Sequence, residues 1–369
     1  MEKLYRLKNL AIVGVIALAA VVFWLVVAVC IPTFRAPETT AQLYTIRHQD
    51  LRDNNPLYTD LLSESIQRNN GYLVLGTSES NPRPKGNYYD FLNADTSLHT
   101  GFSVIAGAGR TPCTYFPLIQ SNKHVRNLKV IFFLNPSYGC GKLASSNVDY
   151  FHRYVSSTVY SHANKPKNQD VDRIFKANLG VHSILDRVGD EMSYFFDRIR
   201  RKYYQDLAFR MDSSNFYHSL DWLDSAKLSN LPQKCARPDA SRYNYQLNVG
   251  AGFDVHSYTL WPHPEESYRY DELRTMIRLC KERGVDVVFV AGPYNSIAYQ
   301  KVHPSELPKI QEVSKKMLQV LEEEGAAYVD CTDLSTVPGV FADWQHHTSY
   351  GGYLIYQKIR DYVLEKESR

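Results

Sequence analysis

Three residues of this sequence have the types that acyl-transfer chemistry requires: Ser78, Asp343 and His346. Ser78 lies in Leu73-Val74-Leu75-Gly76-Thr77-Ser78-Glu79-Ser80, an apolar run that ends in a glycine and hydroxyl residues. Such a run predicts a buried strand that stops and presents a hydroxyl at its carboxyl end. Asp343-Trp344-Gln345-His346 sets a carboxylate and an imidazole three positions apart, so on helical geometry both point the same way. A serine needs a base to become a nucleophile, and the imidazole needs a third group to fix its tautomer. The combination suggests a Ser-His-Asp centre. Serines after strands and histidines near a C-terminal helix also occur as plain surface or core residues, so the elements around them must decide.

Those elements alternate. Apolar runs with strand character fall at Tyr72 to Gly76, Phe102 to Ala106, Leu128 to Leu134, Val285 to Ala291 and Ala327 to Asp330. Several are apolar throughout rather than alternating, as expected of parallel strands covered on both faces. Helical patterns separate them. Thr111 to Asn122 has Thr111 as cap and Pro112 at the first helical position. Tyr270 to Arg283 and Pro308 to Glu324 carry apolar residues at spacings of three and four, and Glu324-Gly325 reads as a stop. Ser349 to Glu367 closes the chain as a helix. The order predicts an α/β fold with a doubly wound parallel sheet. About 142 to 264 shows helical patterns and few strands, and reads as a helical insertion over the carboxyl edge of the sheet. Ligands bind at that edge in open α/β sheets, so the insertion is either a lid or groove wall, or packing alone.

The N-terminus predicts the compartment. Residues 1–9 carry Lys3, Arg6 and Lys8 against Glu2, and Leu10 to Ile31 contains no charge. About 20 apolar residues span a bilayer core. Basic residues ahead of the span predict a cytoplasmic tail, a transmembrane anchor over 10–31 and an extracytoplasmic remainder. A cleaved signal peptide has a shorter apolar core, and a lipoprotein would need a small residue where Val29 precedes Cys30. Residues 32–69 read as a connector and 70–369 as one domain. A formal net charge of +3 implies no nucleic-acid partner. Of six cysteines, Cys30 lies in the span; Cys113, Cys140, Cys235, Cys280 and Cys331 lie outside it, without metal-like spacing. Cys280 and Cys331 are expected as buried thiols, and Cys113 with Cys140 as a candidate bridge.

The order of motifs resembles the SGNH/GDSL hydrolase superfamily and, more narrowly, the DltD-type teichoic-acid D-alanyltransferase family. The carriers are the anchor, Gly76-Thr77-Ser78-Glu79 after the first strand, and Val104 to Gly109 as a glycine loop. Val130 to Tyr138, Val287 to Asn295 with its Pro-x-Asn end, and Asp343-x-x-His346 complete the order. Thr77 stands where the family more often has serine, and His346 is followed by His347 rather than an apolar residue.

The resemblance implies Ser78 as nucleophile, His346 as base and Asp343 as its orienting carboxylate, with Gly107 and Asn135 as oxyanion donors. Glu79 either complements the positive end of a helix start or approaches a cationic amine such as that of D-alanine. Pro293 and Asn295 would meet substrate. No metal or nucleotide motif is present, so no cofactor is expected beyond an acyl group carried on Ser78. The implied partners are a membrane-bound O-acyltransferase, indirectly a carrier of the acyl donor, and an envelope polymer as acceptor. The implied function is extracytoplasmic transfer of D-alanine or a similar small acyl group to that polymer. An envelope polysaccharide O-acetyltransferase or esterase, and a non-catalytic tethered scaffold of an acylation complex, are the alternatives.

Overall fold

The computed structural model describes residues 2–30, 63, 66–67, 70–80, 87–106, 111–121, 124–136, 169, 268–302, 304–342 and 345–368. Five strands form one sheet: β1 Tyr72–Gly76, β2 Phe102–Ala106, β3 Lys129–Leu134, β4 Asp286–Ala291 and β5 Ala327–Asp330. Their order is β2-β1-β3-β4-β5, and every pairing is parallel. All five coincide with the expected apolar runs to within a residue. Parallel strands with this order need crossovers, and the helices between them cover both faces.

The alternation of each strand divides the core in two. Leu73, Leu75, Val130, Phe132, Leu134 and Phe289 face one layer. That layer is built from α3 Pro112–Ser121, α4 Tyr268–Arg283 and α6 Leu307–Glu323. Tyr72, Val74, Ile131, Phe133, Val288 and Val290 face the other. There α2 Tyr88–Ala94 and α7 Ser349–Glu367 pack side by side. The short α5 Ser296–Val302 follows β4. Because both faces are covered, strand residues on both sides are apolar, which is why the runs did not alternate. The expected helices 111–122, 270–283, 308–324 and 349–367 are present with ends shifted by at most two residues. The helices α2 and α5 were not anticipated. Both are short and start at an asparagine rather than at a periodic apolar pattern.

The N-terminal helix α1 runs Glu2–Cys30. Leu10, Ile12, Val13, Val15, Ile16, Leu18, Val21, Val22, Phe23 and Val26 are all exposed on it. At 100° per residue these positions surround the helix rather than forming one stripe. Among the described residues no helix is long and apolar enough to cross a membrane. The crossing expected over Leu10 to Ile31 therefore stands as a proposal. The expected insertion at 142–264 lies outside the described residues apart from residue 169, as do the side chain of Cys113 and all of Cys140 from the expected pair. Cys280 and Cys331 are free and buried, as expected; burial pushes the Cys280 thiol up to about 12.

The last helix is seated by a close backbone approach. Thr348 caps it, its Oγ1 accepting from Gly351 N at 3.0 Å and donating to Gly339 O at 2.5 Å. A Cβ at Gly351 would lie 2.2 Å from Val340 O. That contact cannot be relieved by turning a side chain, because the obstacle is backbone. Gly351→Ala is therefore expected to destabilise the domain by about 1–3 kcal/mol. A lowered urea midpoint at unchanged m value checks it, and an unchanged midpoint would contradict the packing.

Candidate active site

Strand order reverses beside β1: the chain passes from β1 to β2 on one side and reaches β3 on the other. Such a switch point opens a crevice at the carboxyl ends of the strands. The turn after β1 and the end of β3 are its two lips. Gly76 ends β1 because there is no room for a side chain; an added Cβ would stand 2.5 Å from Ser80 Oγ and 3.3 Å from Phe133 Cβ. Tyr115, on α3, donates its hydroxyl to Gly76 O from beneath. Ser78–Ser80 then makes a single 3-10 turn, closed by Ser80 N donating to Thr77 O at 3.0 Å. Ser80 Oγ and the Tyr88 hydroxyl lie 2.6 Å apart, and Tyr88 stacks on Phe133 at 5.3 Å.

Glu79 is the centre of this arrangement. It is 4% exposed, although its sequence position suggested a surface charge or a contact to a substrate amine. Oε2 accepts from Thr77 Oγ1 and Oε1 accepts from Asn135 Nδ2. Its main-chain carbonyl accepts from Asn87 Nδ2 at 2.7 Å, and Asn87 also caps α2. One residue thus joins the end of β1, the end of β3 and the start of α2. Both carboxyl oxygens are engaged inside the protein, so the expected approach of Glu79 to a substrate amine is replaced by an internal role. Burial pushes its carboxyl above the ordinary value of 4.5; the Thr77 hydroxyl, the His346 imidazole and the Asn135 amide pull the other way.

The C-terminal segment reaches the same place. His346 acts electrostatically on the Glu79 carboxyl. His347 does something else: its ring sits against Phe133 at 5.7 Å, edge-on, and Phe341 at 5.3 Å. Phe341 and His347 form an antiparallel bridge, and Ala342 N donates to His346 O at 2.8 Å. α7 begins only at Ser349, with Thr348 as its cap. Asp343, Gly107 and the side chain of Ser78 lie outside the described residues.

Asn135 is 6% exposed at the end of β3, with its amide on Glu79. Pro293 and Asn295 follow β4 and are buried. Asn295 is a cap for α5, its Oδ1 accepting from Ala298 N at 3.0 Å; the expected substrate contact there is matched by a structural duty. A feature without a sequence signal is Arg269, which is buried and donates through Nη1 to Thr111 Oγ1 at 3.0 Å and Glu272 Oε1 at 2.7 Å. It borders a cavity of about 40 Å³ lined also by Thr77, Asn135, Thr111, Leu273 and Met317. Among the described residues no cluster of His, Cys, Asp or Glu could hold a metal ion.

The fold and site define a layered α/β protein whose candidate chemistry lies at the switch point of a parallel sheet. Residues 258–364 match the family model described as DltD protein, the family that the order of motifs resembles. No curated protein matches the chain. Solved structures similar to it include a single-site variant of Axe2, an acetyl xylan esterase from Geobacillus stearothermophilus. That variant has 12% identity and a TM-score of 0.34, with 79% of this chain and 94% of that chain covered. A catalytic mutant of the same esterase gives 12%, 0.33, 79% and 93%. At these TM-scores the likeness carries no argument about activity.

The buried carboxyl has a consequence for stability. A folded-state value above 4.5 means the acid form is favoured on folding, so the contribution is fully present below 4.5 and is lost as pH rises through the folded value. Glu79→Gln keeps an acceptor for Asn135 and has no charge to bury. Its stability relative to the parent is expected to increase as pH is raised from 4.5 towards neutrality. Urea midpoints of both proteins across that range test this; a pH-independent difference would contradict the burial of a titrating group.

Proposed function

We propose that this protein is a membrane-anchored extracytoplasmic serine acyltransferase of the DltD type. It moves D-alanine or a similar small acyl group to a cell-envelope polymer. The observation that carries the reading is the turn after β1 at the switch point, where Gly76 ends the strand and Ser78–Ser80 makes a single 3-10 turn. The match of residues 258–364 to the DltD family model supports it.

In this mechanism His346 takes the Ser78 hydroxyl proton while Oγ attacks the acyl carbonyl, and Asp343 stabilises the imidazolium. The Ser78 amide, a Gly107 amide and the Asn135 side chain hold the developing oxyanion. Collapse expels the donor's leaving group, which takes the proton from His346, and leaves an ester on Ser78. A polymer hydroxyl then gives its proton to His346, attacks that ester and restores the serine. The packing of His347 between Phe133 and Phe341 favours His346 as the base. A membrane-bound O-acyltransferase and a carrier of the acyl donor are the proposed partners. The apolar residues surrounding α1 support anchoring by that helix, with the remainder outside.

Ser78→Ala removes one oxygen, so the protein is expected at ordinary abundance while envelope acylation falls to the level of a deletion strain. His346→Ala is expected to do the same, since nucleophile and base act as a unit. Asp343→Asn should cost less than either, because it orients rather than reacts. Normal acylation in the Ser78→Ala strain would reject the serine chemistry and leave a tethered assembly factor as the account.

Topology has its own measurement. Protease added to cells with the outer face of the membrane exposed is expected to remove the bulk of the chain. A protected C-terminus would place the domain on the wrong side for an envelope acceptor.

A further inference from the structure

We propose that Glu79 is a positioning residue for the acyl-transfer centre: its carboxyl bridges the ends of β1 and β3 and fixes the Asn135 amide towards the reacting carbonyl. The proposal rests on the reading of Ser78 as nucleophile and Asn135 as oxyanion donor.

Three observations carry it. First, the bonds of Glu79 lie across the switch point rather than within one turn. Thr77 on the β1 side donates to Oε2 and Asn135 on the β3 side donates to Oε1. β1 and β3 pair through Leu75 and Phe132, and the chain has left the ladder where Thr77 and Asn135 stand. Where the ladder ends, side chains must hold the two strand ends at a fixed separation. Second, the hold is directional. An asparagine side chain offers two donor hydrogens and a carbonyl oxygen on a rotatable bond. An acceptor on Nδ2 selects the orientation that keeps the amide group, not the carbonyl, on the Glu79 side. An oxyanion donor is useful only when fixed before charge develops. Third, a carboxyl is an expensive way to close a turn. Burial disfavours its charged form, so a glutamate is almost never fully buried without partners. Glu79 nonetheless is 4% exposed, anchored again through its carbonyl by Asn87. It also lies within electrostatic reach of the imidazole that would take the serine proton.

Glu79 does not touch the reacting atoms in this scheme, so its loss must act through Asn135. Full-length protein in detergent is assayed for p-nitrophenyl acetate turnover and for labelling of Ser78 by a fluorophosphonate. Loss of one oxyanion donor lowers turnover about 10²–10³-fold. Glu79→Ala is expected to lower kcat about 10²-fold with KM within about threefold, the pattern of an interaction made in the transition state. Glu79→Gln retains an acceptor for Nδ2 and is expected to rescue kcat to within about fivefold, as a hydrogen bond of similar geometry requires. Asn135→Ala should be as slow as Glu79→Ala, and the double variant no slower than either, because coupled residues do not add. A merely structural glutamate would lower the melting temperature without this coupling. Losses that multiply, or full turnover in a folded Glu79→Ala protein, would overturn the proposal.

A second readout needs no activity. The Asn135 side-chain amide resonance, assigned by its disappearance in Asn135→Ala, should move in Glu79→Met and stay near its place in Glu79→Gln. Methionine fills the volume and removes only the acceptors, so it also replaces alanine if that variant does not fold. An Asn135 resonance indifferent to Glu79→Met would overturn the proposal. Failure of the parent protein to turn over the ester or take the label at Ser78 would reject the serine chemistry instead, and the resonance would still decide whether Glu79 holds Asn135.

Discussion

A carboxyl buried between two strand ends has to satisfy both of its oxygens from within the protein, and that requirement governs the geometry of this site. Glu79 meets it with Thr77 on one side and Asn135 on the other. Neither partner is free to move without leaving a buried acceptor unpaired, at a cost of about 1–3 kcal/mol or more for a charged group. The turn that carries Ser78 is therefore tied to the neighbouring strand as well as to its own backbone. Gly76 and Tyr115 complete the restraint, one by making room for Ser80 and the other by holding the last carbonyl of β1.

The sheet makes such a site possible. Parallel strands buried on both faces end together at one edge, and the reversal of order at β1 parts the connections there. The two core layers fix the strands from above and below, so the lips of the crevice are mounted on rigid elements. On one face α7 is drawn close at Gly351, where no side chain fits against Val340. Phe133 belongs to the strand that ends in Asn135 and stacks on Tyr88 while meeting His347 edge-on. Core packing and the candidate site thus share one residue.

The five strands were legible in the sequence because burial on both faces writes itself as short uninterrupted apolar runs. The long helices were legible because each buries one face at a spacing of three and four, as Ile310, Val313, Met317, Val320 and Leu321 do on α6. Thr348 as a cap and Pro112 at a first helical position set their ends locally. The short helices α2 and α5 escaped notice since seven residues show too little periodicity to stand out.

By itself the sequence determined the parallel α/β class, the order of its elements, the apolar N-terminal helix and the residue types capable of acyl transfer. These follow from local pattern: periodicity, capping and the chemistry of a side chain. Only the tertiary structure decided that Glu79 turns inward, that Asn295 is occupied as a cap, and that Arg269 is buried on Thr111. It alone set His347 against Phe133 and Phe341. Whether a polar side chain faces water or a partner depends on which distant strand end the fold brings beside it, and no local pattern along the chain encodes that neighbour.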